Sequence, residues 1–286
     1  MDQIIIRSLT IEDLPFATKL MHSQKWFSQT QQELKFALSD PACRFLLAEK
    51  NGDKCGLVMS RVAGAHATIA NLIVSSDHRR QGIGKVLFKS AMDQLLSMNV
   101  KMIVLSAAEK WISFFEGFGF KKHERVIPLF GEIPPKPHPQ VSQLRTTDME
   151  DINQLDLAYY QGDRRFFMTH YLQIYPNLAL KFTKDNRITS YMYGQVGLGG
   201  LIFAGPMVTN SNHYHEARAL LQHFQDIIGY QPIQLSTTKN QTKWIWNLIE
   251  LGMKPNPEII YRMVWGFDQR ASNQEYLLLR GSELIA

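Results

Sequence analysis

The second half of the chain repeats the first, and this repeat constrains the fold more than any other feature of the sequence. Three segments recur in the same order: the segment at Arg7 recurs at Arg145, that at Leu46 recurs at Leu180, and that at Trp111 recurs at Trp244. The offset is nearly the same in all three pairs, which is not expected by chance. The 286-residue chain is also long enough for two cores. The sequence therefore predicts two copies of one domain.

A proline-rich stretch separates the two copies. Proline lacks a backbone N–H and fixes φ, so a dense run of prolines excludes helix and central strand. We therefore predict a stiff extended connector over residues 128–140. The domains are expected at residues 1–134 and 141–286, with the linker at 135–140. The prolines of this stretch are Pro128, Pro134, Pro135, Pro137 and Pro139.

The first copy reads as early strands followed by strand–helix–strand–helix. Strands are predicted at residues 4–9, 44–50, 55–61, 67–74 and 101–106, and helices from residue 10, over 31–38, over 85–98 and over 111–117. This order predicts an α/β (α+β) fold in which each copy is a mixed, mostly antiparallel twisted sheet with helices on both faces.

One loop of the first copy has the composition of an anion-binding site. It joins the strand ending at Val74 to the helix starting near Gly84. Gly82 and Gly84 remove side chains where phosphates would approach backbone N–H groups, and the helix adds its positive end. Positive charge is supplied by Arg79, Arg80 and Lys85.

Two other phosphate-binding loops do not fit this segment. A Walker loop requires glycine at the position of Arg79 and Ser or Thr at that of Val86. A dinucleotide-binding loop requires a third glycine where Leu87 stands.

The spacing of Val74, Arg79, Gly82 and Gly84, followed by the sequence FEGFGF from Phe115, resembles the GNAT N-acetyltransferase superfamily. The resemblance implies that acetyl-CoA binds here, with its pyrophosphate on the backbone of residues 79–84 and its pantetheine arm along the end of the strand. A backbone N–H of that strand would face the thioester carbonyl. The residues implied to bind acetyl-CoA are Leu72, Ile73, Val74, Arg79, Arg80, Gln81, Gly82, Ile83, Gly84, Lys85 and Phe115.

The second half resembles the YitH/HolE-type acetyltransferase domain. The offset that relates Leu46 to Leu180 places Glu216 on Gly82. The same offset places Arg218 on Gly84 and His213 on Arg79. The second copy is therefore not expected to bind CoA, because a carboxylate replaces a glycine. The residues that match the YitH/HolE type are Asp156, Gly162, Asp163, Arg164, Gly205, Pro206, Asn240, Gly252, Met253, Arg262, Met263 and Gly266.

The catalytic groups are not assigned by the sequence. An alkyl amine is only about 0.1% neutral at pH 7, so a general base is expected to help. However, residues 67–74 contain no acid, and Phe115 stands where the GNAT family often has a proton-donating tyrosine. His66 is the weak candidate: it either relays a proton or is an exposed loop histidine. No metal is expected, since His213 and His215 lack a third ligand.

Asp163 and Arg164 could fix an amino-acid-like substrate, or they could form a structural or surface ion pair. Aromatic residues at helical spacing are predicted to lie in the core. They are Trp111, Trp244, Trp246, Phe114, Phe115 and Phe118.

The whole chain favours an enzyme of the cytoplasm. The net charge of +5 suits an anionic ligand, and no nucleic-acid-binding motif or apolar run of 18 residues is present. Cys43 and Cys55 are too few for a disulfide framework. We expect acetyl transfer to a primary amine of a small molecule. The alternatives are an acyl-CoA-binding regulatory or scaffold protein and a protein-lysine acetyltransferase, and a homodimer is possible.

Overall fold

The structure is a computed structural model, and it describes residues 3–160, 163–209, 214–266 and 276–278. Its contacts divide the chain into two compact units. The first unit runs to Leu105 and includes a short stretch beginning at Val264, and the second contains Ser106 to Met263 and residues 276–278. No helix in these described ranges is long and apolar enough to span a bilayer.

The first unit is built on a sheet in the order β1-β2-β3-β4-β5. Neighbouring strands are antiparallel except for β4 and β5, which are parallel. The helix α3 buries Leu87, Ala91 and Leu95, as its i, i+4 spacing predicts. The elements are β1 (Ile4–Ser8), α1 (Leu14–His22), α2 (Gln31–Ser39), β2 (Cys43–Lys50), β3 (Asp53–Ala63), β4 (His66–Val74), α3 (Ile83–Ser97) and β5 (Met102–Ala108).

The second unit has a sheet in the order β6-β11-β10-β9-β8-β7, in which only β10 and β11 are parallel. In addition, β12 pairs with β6 and β14 pairs with β10. The elements that follow β5 along the chain are α4 (Ile112–Glu116), β6 (Lys121–Gly131), β7 (Val141–Gln143), α5 (Met149–Tyr160), α6 (Arg165–Ile174), β8 (Leu180–Lys184), β9 (Arg187–Val196), β10 (Ile202–Val208), α7 (Tyr214–Ile228), β11 (Ile233–Thr238), α8 (Thr242–Glu250), β12 (Lys254–Pro255), β13 (Ile260–Gly266) and β14 (Tyr276–Leu278). The residues of β13 from Val264 onward belong to the first unit.

The element order from β7 to α8 repeats that from β1 to α4. A local irregularity repeats as well. The pairing of β4 with β3 shifts register between Ala70 and Ile73. The pairing of β10 with β9 shifts register between Ala204 and Met207, which the repeat equates with Ala70 and Ile73. Each half is therefore a mostly antiparallel mixed sheet flanked by helices, as predicted.

The capping geometry corrects one detail of the repeat. The Asp13 carboxylate accepts the Thr10 N–H at 2.9 Å, and the Asp148 carboxylate accepts the Arg145 N–H at 2.8 Å. The equivalent of Arg145 is thus Thr10, and its alignment with Arg7 is wrong. The sequence alignment matched Glu150 and Asp151 with Glu12 and Asp13 because both are acidic pairs. The structure shows instead that Asp148 is the equivalent of Asp13.

The prediction that proline excludes a central strand is wrong for residues 128–131. Pro128 lies inside β6 opposite Ser236 of β11, and its carbonyl oxygen accepts the Asn256 N–H at 2.8 Å on the other side. In a strand the N and O atoms of one residue point to the same side. The missing N–H therefore faces Asn256, just beyond the end of the two-residue strand β12, and leaves the β11 ladder intact.

The pairing of β6 with β11 also explains where the compact units divide. In sequence β6 lies within residues 1–134, the predicted first copy, but its partner β11 belongs to the second unit. The contact boundary consequently falls between Leu105 and Ser106. The boundary expected near residue 135 describes the duplication and stays a prediction.

The core prediction is correct for Trp244, which is fully buried, but wrong for Trp111 and Trp246. Those two side chains are 53% and 62% exposed. Residues two positions apart point about 200° apart around a helix, so Trp246 faces away from the side of α8 that buries Trp244.

Candidate functional site

The strand β4 leaves its parallel neighbour partway along its length. Its pairing with β5 ends at Thr68, opposite Val104. From residue 69 to residue 74, β3 is the only strand that pairs with β4 in the described part of the chain. One edge of this half-strand therefore offers backbone groups to a ligand.

The bulge in β4 lies in the same half-strand. Asn71 has a left-handed backbone (φ 54°), and its side-chain Nδ2 lies 3.0 Å from Met59 Sδ. A bulge bends its strand and increases the local twist, which accounts for the divergence from β5. Sequence reasoning missed this feature; the tolerance of asparagine for φ > 0 was its only signal.

The loop after β4 is tied back to the strand ends. The Ser75 N–H donates to the Cys55 carbonyl at 2.8 Å, and the Ser75 hydroxyl lies 3.0 Å from the His78 ring nitrogen Nδ1. The Arg79 Nε donates to the Val74 carbonyl at 3.0 Å. These bonds fix the path of the backbone into the glycine segment.

Two left-handed residues then turn the chain into α3. Arg80 has φ 62° and Gly82 has φ 81°, and the Gly82 carbonyl accepts the N–H groups of Lys85 and Val86, the third and fourth residues of the helix. Among the described residues, the N–H groups of residues 81–84 have no backbone acceptor. Such a turn at a helix N-terminus forms a concave site for an anion.

The glycines fit a phosphate ligand rather than an internal packing need. A Cβ at residue 82 would meet nothing within 4 Å, and one at residue 84 would meet only Val74 Cγ2, at 3.6 Å. Gly82 is required by its positive φ, but no contact within the described part of the protein requires Gly84. The space beside both residues is open, as close approach of a pyrophosphate requires.

Charged side chains surround this segment. Arg79, Arg80 and Lys85 are exposed, as is the opposing acid Asp77. Lys50, which the sequence did not suggest, reaches Gln81 Oε1 at 2.6 Å from β2. The local charge is therefore positive and suits a polyphosphate.

The residues predicted to bind acetyl-CoA are divided between the two units: all of them except Phe115 lie in the first unit. Leu72, Ile73 and Val74 end β4 beside the loop, and Ile83 is buried, so only its backbone can face a ligand. Phe115 belongs to the second unit, where it is buried edge-on to Phe114 and Phe120. Its contact with acetyl-CoA stays a prediction.

His66 lies at the start of β4, half-buried and opposite Ala63 and Met102. It is therefore not an exposed loop histidine. Val74 lies at the other end of the same strand, a distance of about 26 Å at the usual rise per residue. A role of His66 as proton relay stays a prediction.

Neither cysteine of the first unit is a ready nucleophile. Burial raises the pKa of Cys43 to about 12 and also raises that of Cys55. Both thiols are therefore protonated at neutral pH.

Arg164 forms a buried ion pair in the second unit. It is fully buried, and its Nε donates to Asp156 Oδ2 at 3.0 Å, while the Tyr191 hydroxyl donates to Oδ1 of the same carboxylate. Burial raises the pKa of the neighbouring Tyr193. Asp163 is exposed and accepts the Arg165 N–H at 2.7 Å. The burial of Arg164 favours its structural alternative, and the substrate role of both residues stays a prediction.

In the second unit, the alignment places Glu216 on Gly82. Glu216 is fully buried in α7, where its carboxylate accepts the hydroxyls of Thr189, at 2.8 Å, and Ser190. His213 lies outside the described residues.

Comparisons with known proteins agree with the geometry of the first unit. The model of the acetyltransferase (GNAT) family matches residues 7–120. The uncharacterised N-acetyltransferase ycf52 of Porphyra purpurea is 30% identical over 108 residues, 36% of this chain. The chain spans 62% of the length of that relative. The [ribosomal protein bS18]-alanine N-acetyltransferase of Escherichia coli is 26% identical over 120 residues, 41% of this chain and 80% of that enzyme.

A solved structure extends the likeness in fold to nearly the whole chain. A candidate acetyltransferase from Pyrococcus horikoshii superposes with a TM-score of 0.77 and 17% identity, covering 96% of this chain and 92% of the other. At this identity the likeness shows the fold alone. The family match and the loop geometry fall in one segment: residues 7–120 match the model of the acetyltransferase (GNAT) family, and they contain the loop of residues 79–84.

Proposed function

We propose that this protein is an N-acyltransferase that moves an acetyl group from acetyl-CoA to a primary amine of a small molecule. The observation that carries the proposal is the loop of residues 79–84, whose two glycines lie beside the edge of β4. Among the described residues, neither the loop N–H groups nor that edge has a backbone partner. The family match over residues 7–120 supports the same activity.

Different residues of the first unit would bind different parts of acetyl-CoA. Backbone N–H groups of residues 81–84 would hold the pyrophosphate, with Arg79, Arg80 and Lys85 adding charge. The open edge of β4 would pair with the amides of the pantetheine arm, and one of its N–H groups would face the thioester carbonyl. Acetyl-CoA supplies an activated acetyl thioester.

The transfer itself needs little from side chains. The neutral amine attacks the thioester carbon, the C–S bond breaks, and the thiolate takes a proton. A thiol pKa near 8.5 lets water supply that proton, so the absence of a tyrosine at Phe115 does not forbid turnover. The group that deprotonates the amine is not assigned.

Two alternatives follow from specific observations. The missing carboxylate in β4 favours a protein that binds acyl-CoA with little turnover. The Escherichia coli relative, which acts on alanine of a ribosomal protein, favours a polypeptide amine as acceptor, as in the protein-acetyltransferase alternative.

Release of the CoA thiol separates these functions. The full chain is incubated with acetyl-CoA and a panel of small amines, amino acids and peptides with free N-terminal or lysine amines. Release with small amines is the expected result. Release with peptides alone would replace the small-molecule acceptor, and tight binding without release across the panel would refute the enzyme.

We propose further that the second half, residues 141–286, is a degenerate GNAT-like domain with a structural or substrate-side role, joined to residues 1–134 by residues 135–140. The repeated element order and the repeated bulge support this. The cytoplasmic location, the absence of nucleic-acid, membrane and metal partners, and a homodimeric state stay predictions from the sequence.

A further inference from the structure

In the second unit, the strand β14 occupies the edge of β10 that corresponds to the open edge of β4. Met207 of β10 is opposite Leu278, and Val208 is opposite Tyr276. The strand also lies against β11. The parallel pairing of β10 with β11 is confined to Ile202–Phe203, so the strands diverge beyond that point. The short strand β14 lies in the resulting cleft.

The two halves can be compared position by position. Met207 and Val208 correspond to Ile73 and Val74 at the same offset that makes the two bulges coincide. The corresponding edge of β4 has no other strand partner in the described part of the chain. The same edge is thus left open in the first half and paired with the chain itself in the second.

The loop end of the cleft is also altered in the second half. Glu216 replaces the glycine, and its carboxylate is turned inward onto Thr189 and Ser190. The Ser190 hydroxyl lies against that of Thr209, the residue that follows β10. A buried carboxylate at this position opposes a phosphate. Two independent changes therefore exclude a CoA-like ligand from this cleft.

We infer that the β10–β11 cleft is a strand-binding site, and that its occupant is the chain's own segment Tyr276–Leu278. An extended peptide satisfies the backbone groups of a diverging strand edge by main-chain hydrogen bonds, without the glycine loop that a pyrophosphate needs. The inference rests on the backbone pairing of β14, and it stands whether or not the first half transfers acetyl groups.

A disulfide trap in the full-length chain tests the seating of β14. Directly opposed residues of antiparallel strands have Cα atoms about 4.5–5.5 Å apart, within reach of a disulfide. The double variant Val208→Cys/Tyr276→Cys should therefore form an intramolecular bond under mild oxidation. The matched control is Phe203→Cys/Tyr276→Cys, which moves the first thiol five residues along β10, about 16 Å away at the usual rise per residue. Rapid bonding of the first pair and not the second supports the inference; equal rates, or no bond in either, overturn it.

Amide exchange then tests whether the pairing protects β10. The substitution Leu278→Pro removes one backbone N–H from β14 and fixes φ at that residue, which should weaken the pairing of β14 with β10. Amide exchange in β10 should therefore be at least about ten-fold faster. Leu278→Val retains the N–H and should leave exchange near the wild-type rate. A synthetic peptide with the sequence of residues 273–280 should slow the exchange of Leu278→Pro again. Unchanged exchange in a folded Leu278→Pro chain contradicts the inference, and if that variant unfolds, the disulfide trap alone decides.

Discussion

The edges of β4 and β10 show how two halves with the same element order offer different sites. Among the described residues of the first unit, the edge of β4 is open over residues 69–74, and Gly82 leads into a helix whose first N–H groups have no backbone acceptor. In the second unit Glu216 is buried at the equivalent position, and β14 pairs with the edge of β10. The bulge is present in both. The two halves therefore share an architecture but differ in the loop and in the occupant of the strand edge, and on the proposed function these two features decide where CoA binds.

The largest expected effect is the loss of acetyl-CoA affinity when Gly82 of the first unit is replaced by glutamate, the residue at the equivalent position of the second unit. Gly82→Glu places a carboxylate near the phosphates and a side chain at φ 81°. Repulsion of two charges about 4 Å apart near a surface costs about 4 kcal/mol, equivalent to an about 1,000-fold loss of acetyl-CoA affinity. Calorimetric titration measures it.

The matched control is Gly64→Glu. Gly64 also has a positive φ, of 62°, with nothing within 4 Å of its Cβ position, but it lies in the turn between β3 and β4. It should lose a similar amount of stability and retain acetyl-CoA affinity. If both variants bind equally well, the loop is not the CoA site.

The next effect concerns stability of the second unit. Asp156→Asn leaves the fully buried Arg164 without its carboxylate, and breaking a buried pair costs about 3–5 kcal/mol. Glu150→Gln removes the exposed partner of Arg165 and should cost below about 1 kcal/mol. Urea unfolding of both variants measures the difference, and a similar loss in each would show that the buried pair is not structural.

A reverse substitution tests whether a glycine alone restores binding. Glu216→Gly removes the acceptor of the Thr189 and Ser190 hydroxyls and should destabilise the chain by about 1–3 kcal/mol. Because β14 still pairs with β10, the number of acetyl-CoA molecules bound per chain should not increase. A second bound molecule would mean that the acid alone separates the two halves.

The smallest effect is a pH dependence confined to the second unit. His223 Nδ1 accepts the backbone N–H of His138 at 3.1 Å. Burial lowers the pKa of His223. The unfolded chain therefore takes up the proton first, so the free energy of unfolding should fall as pH drops below about 6.5. The loss should be small because His223 is only partly buried, and urea unfolding between pH 7.5 and 5 should show it.

The variant His223→Gln isolates this contribution, since glutamine does not titrate. Its stability should vary less with pH than that of the wild-type chain. An identical pH profile in both would assign the acid sensitivity to other groups.

The sequence by itself determined the strands and helices from β1 to α4, with small differences at their ends, as well as the glycine loop, but it did not predict β6. These depend on local patterns: side-chain periodicity, capping residues, and glycines at positive φ, such as Gly82. Each is decided by residues that are neighbours along the chain.

Tertiary structure alone decided the pairings between distant residues. Pro128 lies in a strand because its missing N–H faces Asn256, so that its pairing with Ser236 of β11 is kept. Arg164 is buried because Asp156 is its partner rather than Asp163 next to it. The seating of β14 in the second cleft also joins segments that are far apart in sequence. No local pattern encodes such partners, because their free energy comes from hydrogen bonds and burial that exist only once the distant segments have met.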